Sequence, residues 1–136
     1  TPRVMNATHE DRGRVRVKAF SWTQVGTGSA ADQQLLAQME AGSVRILSVS
    51  VTHSAFGSSR TLDFGHLGAS DENGTAIAAD PDAYSNGLDI SGAGTSVIEI
   101  NNLLTTKDGF VFAGQVNDGT QPAAATLTGY ITYVID

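Results

Sequence analysis

The residues of this sequence that could perform catalysis are few and stand far apart. The chain has no cysteine, which excludes thiolate nucleophiles and cysteine-based zinc sites. Its three histidines, His9, His53 and His66, form no HxH or HExxH pair. Ser54 follows His53 directly and Asp63 is nearby, so the residue types of a Ser–His–Asp triad are present. Adjacent residues of a strand point to opposite faces, however, and there is no G-x-S-x-G turn, so we predict no triad.

An acidic stretch between residues 71 and 89 is the best candidate for a metal site. Six candidate oxygen ligands fall within these nineteen positions, namely Asp71, Glu72, Asn73, Asp80, Asp82 and Asp89, and Ca²⁺ takes about six to eight such ligands. The spacing does not match an EF-hand loop, and Asp and Asn side chains also close turns by bonding their own backbone. We therefore predict no metal site and no cofactor. The alternative is a calcium site with Asp71, Asp80 and Asp82 as its candidate ligands.

Two further patterns could serve a carbohydrate. Asp63, Asp89 and Glu99 are possible members of a glycosidase carboxylate pair, but nothing in the local sequence selects two of them. Trp22, the only tryptophan, could be a sugar-stacking platform, although a core aromatic is the preferred interpretation. We predict that the protein is not an enzyme.

Charge is distributed unevenly along the 136 residues. The first 18 residues carry five basic and two acidic side chains, whereas the other 118 carry three basic and twelve acidic ones. This acidic body disfavours nucleic acid as the main partner, because binding to phosphates needs a basic surface. No apolar run reaches the roughly 18 residues that span a bilayer, so we expect no membrane partner. The basic residues either form a solvated terminus or dock onto an acidic protein surface: Arg3, Arg12, Arg14, Arg16 and Lys18.

Strand patterns dominate the chain after an irregular arm of residues 1–13. Strand-forming residues or alternating apolar and polar residues predict strands at 15–22, 44–53, 60–65, 96–100, 110–116 and 125–135, with a possible short strand at 75–79. Residues 68–89 otherwise resemble a loop, since they are rich in Asp, Asn and Gly. One short helix is predicted at 30–40, where Ser29 or Asp32 could cap the start and Gly42 the end.

These elements predict a single all-β domain over residues 14–136. Turns every 8–15 residues and the absence of crossover helices favour an antiparallel β-sandwich of jelly-roll or Greek-key type, with the one short helix. The strand at 125–135 separates apolar residues on one face from polar residues on the other. The polar face suits either solvent or a partner and carries Thr126, Thr128, Tyr130 and Thr132.

The central segment SVRILSVSVTHSAFGSSRTLDFGHLGASDENGTAIAADPD resembles small structural proteins of tailed-bacteriophage heads. In both, a strand is followed by a turn of small residues, a Thr-Leu-x-Φ-Gly-x-x-Gly segment (Φ is apolar; residues 61–68 here) and an acidic loop. The sequence TLTGYITYV at 126–134 resembles the closing strand of those proteins. The resemblance covers roughly residues 42–136.

This resemblance implies a capsid decoration, or cement, protein without catalytic residues. Such a protein is a β-sandwich, commonly a homotrimer, that binds the outer surface of an icosahedral shell and bridges major capsid subunits. It implies synthesis in the host cytoplasm and a final location on the virion. We predict that residues 1–18 dock on the shell. Copies are predicted to contact each other either through the polar face of the strand at 125–135, here called the Thr/Tyr face, or through the edge formed by the strand at 15–22. The basic arm and the predicted helix have no counterpart in the family.

Three other functions are compatible with a β-sandwich, since one fold hosts unrelated functions. A phage tail or fibre component would use the domain to bind a receptor, but repeats and a coiled-coil stalk are missing. A carbohydrate-binding module would need exposed aromatic residues, and aromatics make up only 7% of the chain. A small hydrolase on a jelly-roll scaffold is the third.

Overall fold

The computed structural model describes residues 14–136, which form ten β-strands and no helix. The strands are β1 Arg16–Thr23, β2 Gln33–Met39, β3 Gly42–His53, β4 Thr61–His66, β5 Ala69–Ser70, β6 Ala76–Ile77, β7 Asp80–Asp89, β8 Gly94–Thr106, β9 Phe110–Asn117 and β10 Thr126–Ile135. Within this part of the chain, no helix is long and apolar enough to cross a membrane. The predicted arm at 1–13 lies outside the described residues.

Eight of the strands form two four-stranded antiparallel sheets. Sheet 1 has the order β1-β10-β3-β8 and sheet 2 has the order β2-β9-β4-β7. The antiparallel pairs are nested along the chain: β4 with β7, β3 with β8, β2 with β9 and β1 with β10. This nesting is the jelly-roll topology, so the predicted antiparallel sandwich is confirmed. The small β5–β6 hairpin lies in the connection between β4 and β7.

The core lies between the two sheets and is built by alternation. Along β10, Leu127, Ile131 and Tyr133 are buried, whereas Thr128 and Tyr130 between them are exposed. A stack of aromatic rings fills the centre of sheet 2's inner face. Phe112 stacks on Phe64 at 5.4 Å and on Tyr84 at 5.5 Å between ring centroids. Such contacts stabilise a core beyond the area that they bury.

The predicted helix at 30–40 is wrong, because these residues form the edge strand β2. β2 pairs with β9, and a β-bulge shifts the register between Leu35 and Ala37. The buried positions are therefore Gln34, the partly buried Leu36, and Met39. These positions are two and then three residues apart, because the bulge adds a residue to the strand. The spacing therefore departs from the two-residue period of a strand and resembles that of one face of a helix.

The predicted loop at 68–89 is also largely wrong, because most of it forms strands. β7 is an edge strand, where Pro81 is tolerated, since one side of such a strand makes no ladder hydrogen bonds. β8 extends well beyond the predicted 96–100. Its apolar pattern is interrupted by Asn101, which adopts a left-handed φ of 61° next to a register shift against β3.

Candidate interaction surface

The residues of the possible Ser–His–Asp triad do not form one. The His53 Nδ1 lies 3.1 Å from the backbone oxygen of Ser54, while the Ser54 hydroxyl accepts a hydrogen bond from the backbone N–H of Thr126. The Asp63 carboxylate is buried and accepts hydrogen bonds from the Gly87 N–H and the Asn117 amide, each at 2.8 Å. These three side chains hold strand ends and edges together.

The candidate calcium ligands are separated by the structure. Asp71 closes the β5–β6 turn, where its carboxylate accepts hydrogen bonds from the N–H groups of Asn73 and Thr75. Asp82 accepts a hydrogen bond from the Asn86 amide within β7. Across residues 14–136, no three His, Asp or Glu side chains are close enough together to hold a metal ion. Turn and strand contacts account for the positions of Asp71 and Asp82.

Trp22 is a partly buried residue at one end of the sandwich. Its ring stacks on buried Phe56 at a centroid distance of 6.5 Å. Among the described residues, Tyr130 is the only aromatic side chain that is classed as exposed. The arrangement therefore provides no pair of exposed rings for a sugar.

A row of uncharged side chains crosses the outer face of sheet 1, on which Arg45 of β3 and Glu99 of β8 also lie. The register aligns Tyr130 of β10 with Ala19 on β1 and with Ser50 on β3, and aligns Ser50 with Val97 on β8. Tyr130 and Val97 are 47% and 64% exposed. This face carries the predicted copy-contact residues Thr126, Thr128, Tyr130 and Thr132, of which the middle two are exposed and the outer two half-buried.

The predicted shell-docking residues fall partly within the structure. Arg3 and Arg12 lie outside the described residues. Arg14 precedes β1 and Arg16 begins it, and both are exposed. Lys18 is different, because its ammonium group already donates hydrogen bonds to the Gln38 backbone oxygen and the Glu40 carboxylate, each at 2.6 Å.

Lys18, Glu40 and Tyr133 form a cluster that ties the two sheets together along this edge. The Tyr133 hydroxyl donates a 3.0 Å hydrogen bond to the same Glu40 oxygen that accepts from Lys18. Burial by itself raises the pKa of Glu40, but the hydrogen bonds from Lys18 and Tyr133 and the Lys18 charge outweigh it, and this pKa is lowered. Burial, followed by the hydrogen bond to Glu40, raises the pKa of Tyr133.

We expect Glu40→Gln to lower the free energy of unfolding by about 1 kcal/mol near neutral pH, because the cluster is partly exposed. The pKa of Glu40 is lower in the folded protein, so ionised Glu40 stabilises the fold above its ordinary pKa. That contribution is lost as the pH falls through the lowered value. Urea unfolding at several pH values should show the largest difference between wild type and variant at neutral pH and none in acid.

The matched control for this substitution is Glu99→Gln, which removes an exposed carboxylate from β8. Its effect should stay within about 0.5 kcal/mol. A Glu40→Gln protein as stable as wild type at neutral pH, or one whose deficit grows in acid, would contradict the role assigned to this cluster.

The side of the sandwich formed by β7 and β8 brings Glu99 beside three Asp residues of the acidic stretch at 71–89. Its carboxylates are exposed, and neither strand contains a Lys or Arg. Tyr84 and Leu88, which face the core, are the residues from which the strand β7 could have been predicted. Pro81 and Gly87 favoured a loop instead, because both residues are uncommon in strands. The charged residues of this side are Asp80, Asp82, Asp89 and Glu99.

The architecture defines a class: a single eight-stranded jelly-roll domain with an additional small hairpin. The chain shares this fold with a chain in the structure of the cyanophage Pam1 capsid asymmetric unit. The TM-score is 0.69 at 18% identity, over 99% of this chain and 94% of that one. No protein-family model matches the sequence, and comparison with curated proteins gives no significant match.

Two structures from infectious bursal disease virus contain the same fold within longer chains. The Gx strain structure gives a TM-score of 0.57 at 13% identity, over 99% of this chain and 37% of that one. The VP2 subviral particle gives 0.52 at 14% identity, over 90% and 33%. This chain thus spans about a third of the viral chains from that virus. At these identities the similarity is one of fold.

Proposed function

We propose that this protein is a non-enzymatic structural component of an icosahedral virion, bound to the outer surface of the shell. The observation that carries the proposal is the fold match over nearly the whole of both chains with a member of the cyanophage Pam1 capsid asymmetric unit. That match supports a role in a capsid, because the fold is shared over nearly the whole of both chains. It agrees with the resemblance of residues 42–136 to decoration proteins of phage heads.

The surface of the domain suits such a role. A protein repeated over a lattice needs only weak contacts at each site, because many simultaneous contacts raise the overall strength of attachment. The uncharged row across the outer face of sheet 1 and the exposed basic residues Arg14 and Arg16 suit contacts of this kind. Among residues 14–136, Ser54, His53 and Asp63 do not form a triad, and no three His, Asp or Glu side chains are close enough together to hold a metal ion.

The proposed partners are the major capsid protein and further copies of this chain. The basic residues at positions 3, 12, 14, 16 and 18 dock onto an acidic region of the shell. Bridging of neighbouring capsid subunits then braces the shell. Self-association as a homotrimer uses the Thr/Tyr face of sheet 1 or the β1 edge.

The test is co-sedimentation with capsid shells that were assembled without this protein. The full chain should sediment with the shells, and deletion of residues 1–13 should weaken binding by about tenfold, since the contacts of Arg3 and Arg12 are lost together. Increasing the salt concentration should weaken the full chain in the same way. Circular dichroism of the deletion variant shows whether the domain still folds.

The matched control is Lys107→Ala, which removes one positive charge from the turn after β8. It should leave shell binding unchanged. A deletion variant that binds as the full chain does would overturn the role of the arm, and a full chain that never sediments with shells would overturn the proposed function. If the protein does not bind shells but does bind a glycan array, the carbohydrate-binding module is favoured.

A further inference from the structure

The two long sides of the sandwich carry opposite charges. One side, here called the basic side, is formed by β1 and β2 and carries Arg14, Arg16 and Lys18. Neither of its two strands contains an acidic residue, but Asp32 and Glu40 flank β2 and Glu40 pairs with Lys18. Arg14 and Arg16 are therefore the positive charges that this side offers to a partner. The other, called the acidic side, is formed by β7 and β8. Its four carboxylates are those of Asp80, Asp82, Asp89 and Glu99.

Each side joins an edge of sheet 1 to the edge of sheet 2 that lies beside it. On the basic side, Lys18 of β1 reaches the Gln38 backbone of β2. On the acidic side, the Asn102 amide of β8 donates a 3.4 Å hydrogen bond to the Ala83 backbone oxygen of β7. Among residues 14–136, no Lys or Arg forms an ion pair with the four carboxylates. Their negative charge therefore faces outward.

We propose that the acidic side of one copy binds the basic side of a second copy. Charges of opposite sign on two different surfaces of the same chain favour a head-to-tail contact, whereas a contact between identical surfaces would place like charges together. Repeating the head-to-tail contact closes a ring when the rotation between copies permits it. A homotrimer is such a ring.

The strand directions are compatible with this arrangement. Sheet 1 has four strands and every neighbouring pair is antiparallel, so its two edge strands β1 and β8 run in opposite directions. When copies stand side by side in the same orientation, β8 of one therefore lies antiparallel to β1 of the next. Exposed apolar residues near both edges, Val15 and Val17 on one and Val97 and Leu103 on the other, supply apolar area.

This inference rests on the self-association included in the proposed function and specifies its surfaces. It selects the β1 edge over the Thr/Tyr face. It also assigns Arg14 and Arg16 to the second copy and leaves Arg3 and Arg12 for the shell. Lys18 is already paired with Glu40, so Arg14 and Arg16 carry the contact with the second copy.

The test is a charge exchange read by light scattering at low and high salt. Wild type should form an oligomer at low salt, and its mass should fall as salt is added. Arg14→Glu with Arg16→Glu, or separately Asp82→Lys with Glu99→Lys, should weaken association by about a hundredfold, because each change places like charges together. All four changes in one chain restore opposite charges and should restore the wild-type mass.

The matched control is Glu72→Lys with Asp108→Lys, which makes the same change of charge at two exposed turn residues outside β1, β2, β7 and β8. It should not alter the oligomer mass. Circular dichroism shows whether each variant is folded. A wild type that stays monomeric at low salt would overturn the inference, as would a folded four-change chain that stays monomeric. Oligomers that do not sediment with shells would instead overturn the proposed virion role alone.

Discussion

Replacing Phe112 with alanine is expected to lower the free energy of unfolding by about 3–5 kcal/mol. The Phe112 side chain is fully buried in the centre of β9 and stacks on both Phe64 and Tyr84. Truncation removes the apolar area of the ring and leaves a cavity that two neighbouring rings cannot fill without leaving their own contacts. Urea or thermal unfolding followed by circular dichroism measures the loss.

Two variants provide the comparison for Phe112. Phe112→Leu keeps most of the buried volume and should cost clearly less than the alanine variant. Tyr130→Ala removes an aromatic ring from the exposed outer face of sheet 1, so it should cost less than about 1 kcal/mol. An alanine variant at 112 that is no less stable than the one at 130 would show that the aromatic stack does not dominate the core.

Gly65→Ala is the second large effect, because it adds a single methyl group where the backbone of another strand passes. A Cβ at this position would lie 2.0 Å from the Asp80 backbone oxygen and 2.4 Å from the Pro81 backbone carbon. Backbone atoms cannot turn aside as a flexible side chain can, so the start of β7 must move away from β4. We expect a loss of about 3 kcal/mol or more in unfolding free energy.

The control is Gly92→Ala, because a Cβ there meets no atom within 4 Å. It should change stability by no more than about 0.5 kcal/mol. The Gly65 variant also tests the acidic side, since Asp80 moves with the start of β7. Its oligomer mass at low salt should fall even under conditions where circular dichroism shows a folded domain. Equal stability of the two alanine variants would mean that β7 does not lie against Gly65.

Two groups of polar side chains have structural roles in this domain. The buried carboxylate of Asp63 and the Lys18–Glu40–Tyr133 cluster hold strands in place. The charges at the two sides and the uncharged row across sheet 1 lie on the surface of the domain. A stable jelly roll presents such surfaces at fixed positions, and a repeated lattice requires this of each of its copies.

The sequence by itself determined the β class and most strands of sheet 1. From Ser48 to His53 in β3 and from Leu127 to Tyr133 in β10, inward-facing and outward-facing residues alternate without a break, so local pattern predicted both the strand and its buried face. The same pattern placed Thr128 and Tyr130 outward, which the structure confirms. Glycine and aspartate turns marked where these strands end.

Only the tertiary structure decided β2 and β7, because both are irregular edge strands. The bulge at Leu36 breaks the period of β2, and its buried Gln34 is accommodated by a hydrogen bond from its amide to Gln121, 87 positions away. In β7, Pro81 and the close approach to Gly65 depend on which strand lies alongside.

The charge separation between the two sides has the same physical origin. Arg14 and Arg16 stand near the beginning of the chain, and the carboxylates of β7 and β8 lie in its middle. Nested pairing of distant strands places them on opposite sides of one sandwich. The local sequence does not predict this separation of the charges, because it arises only when the two sheets assemble.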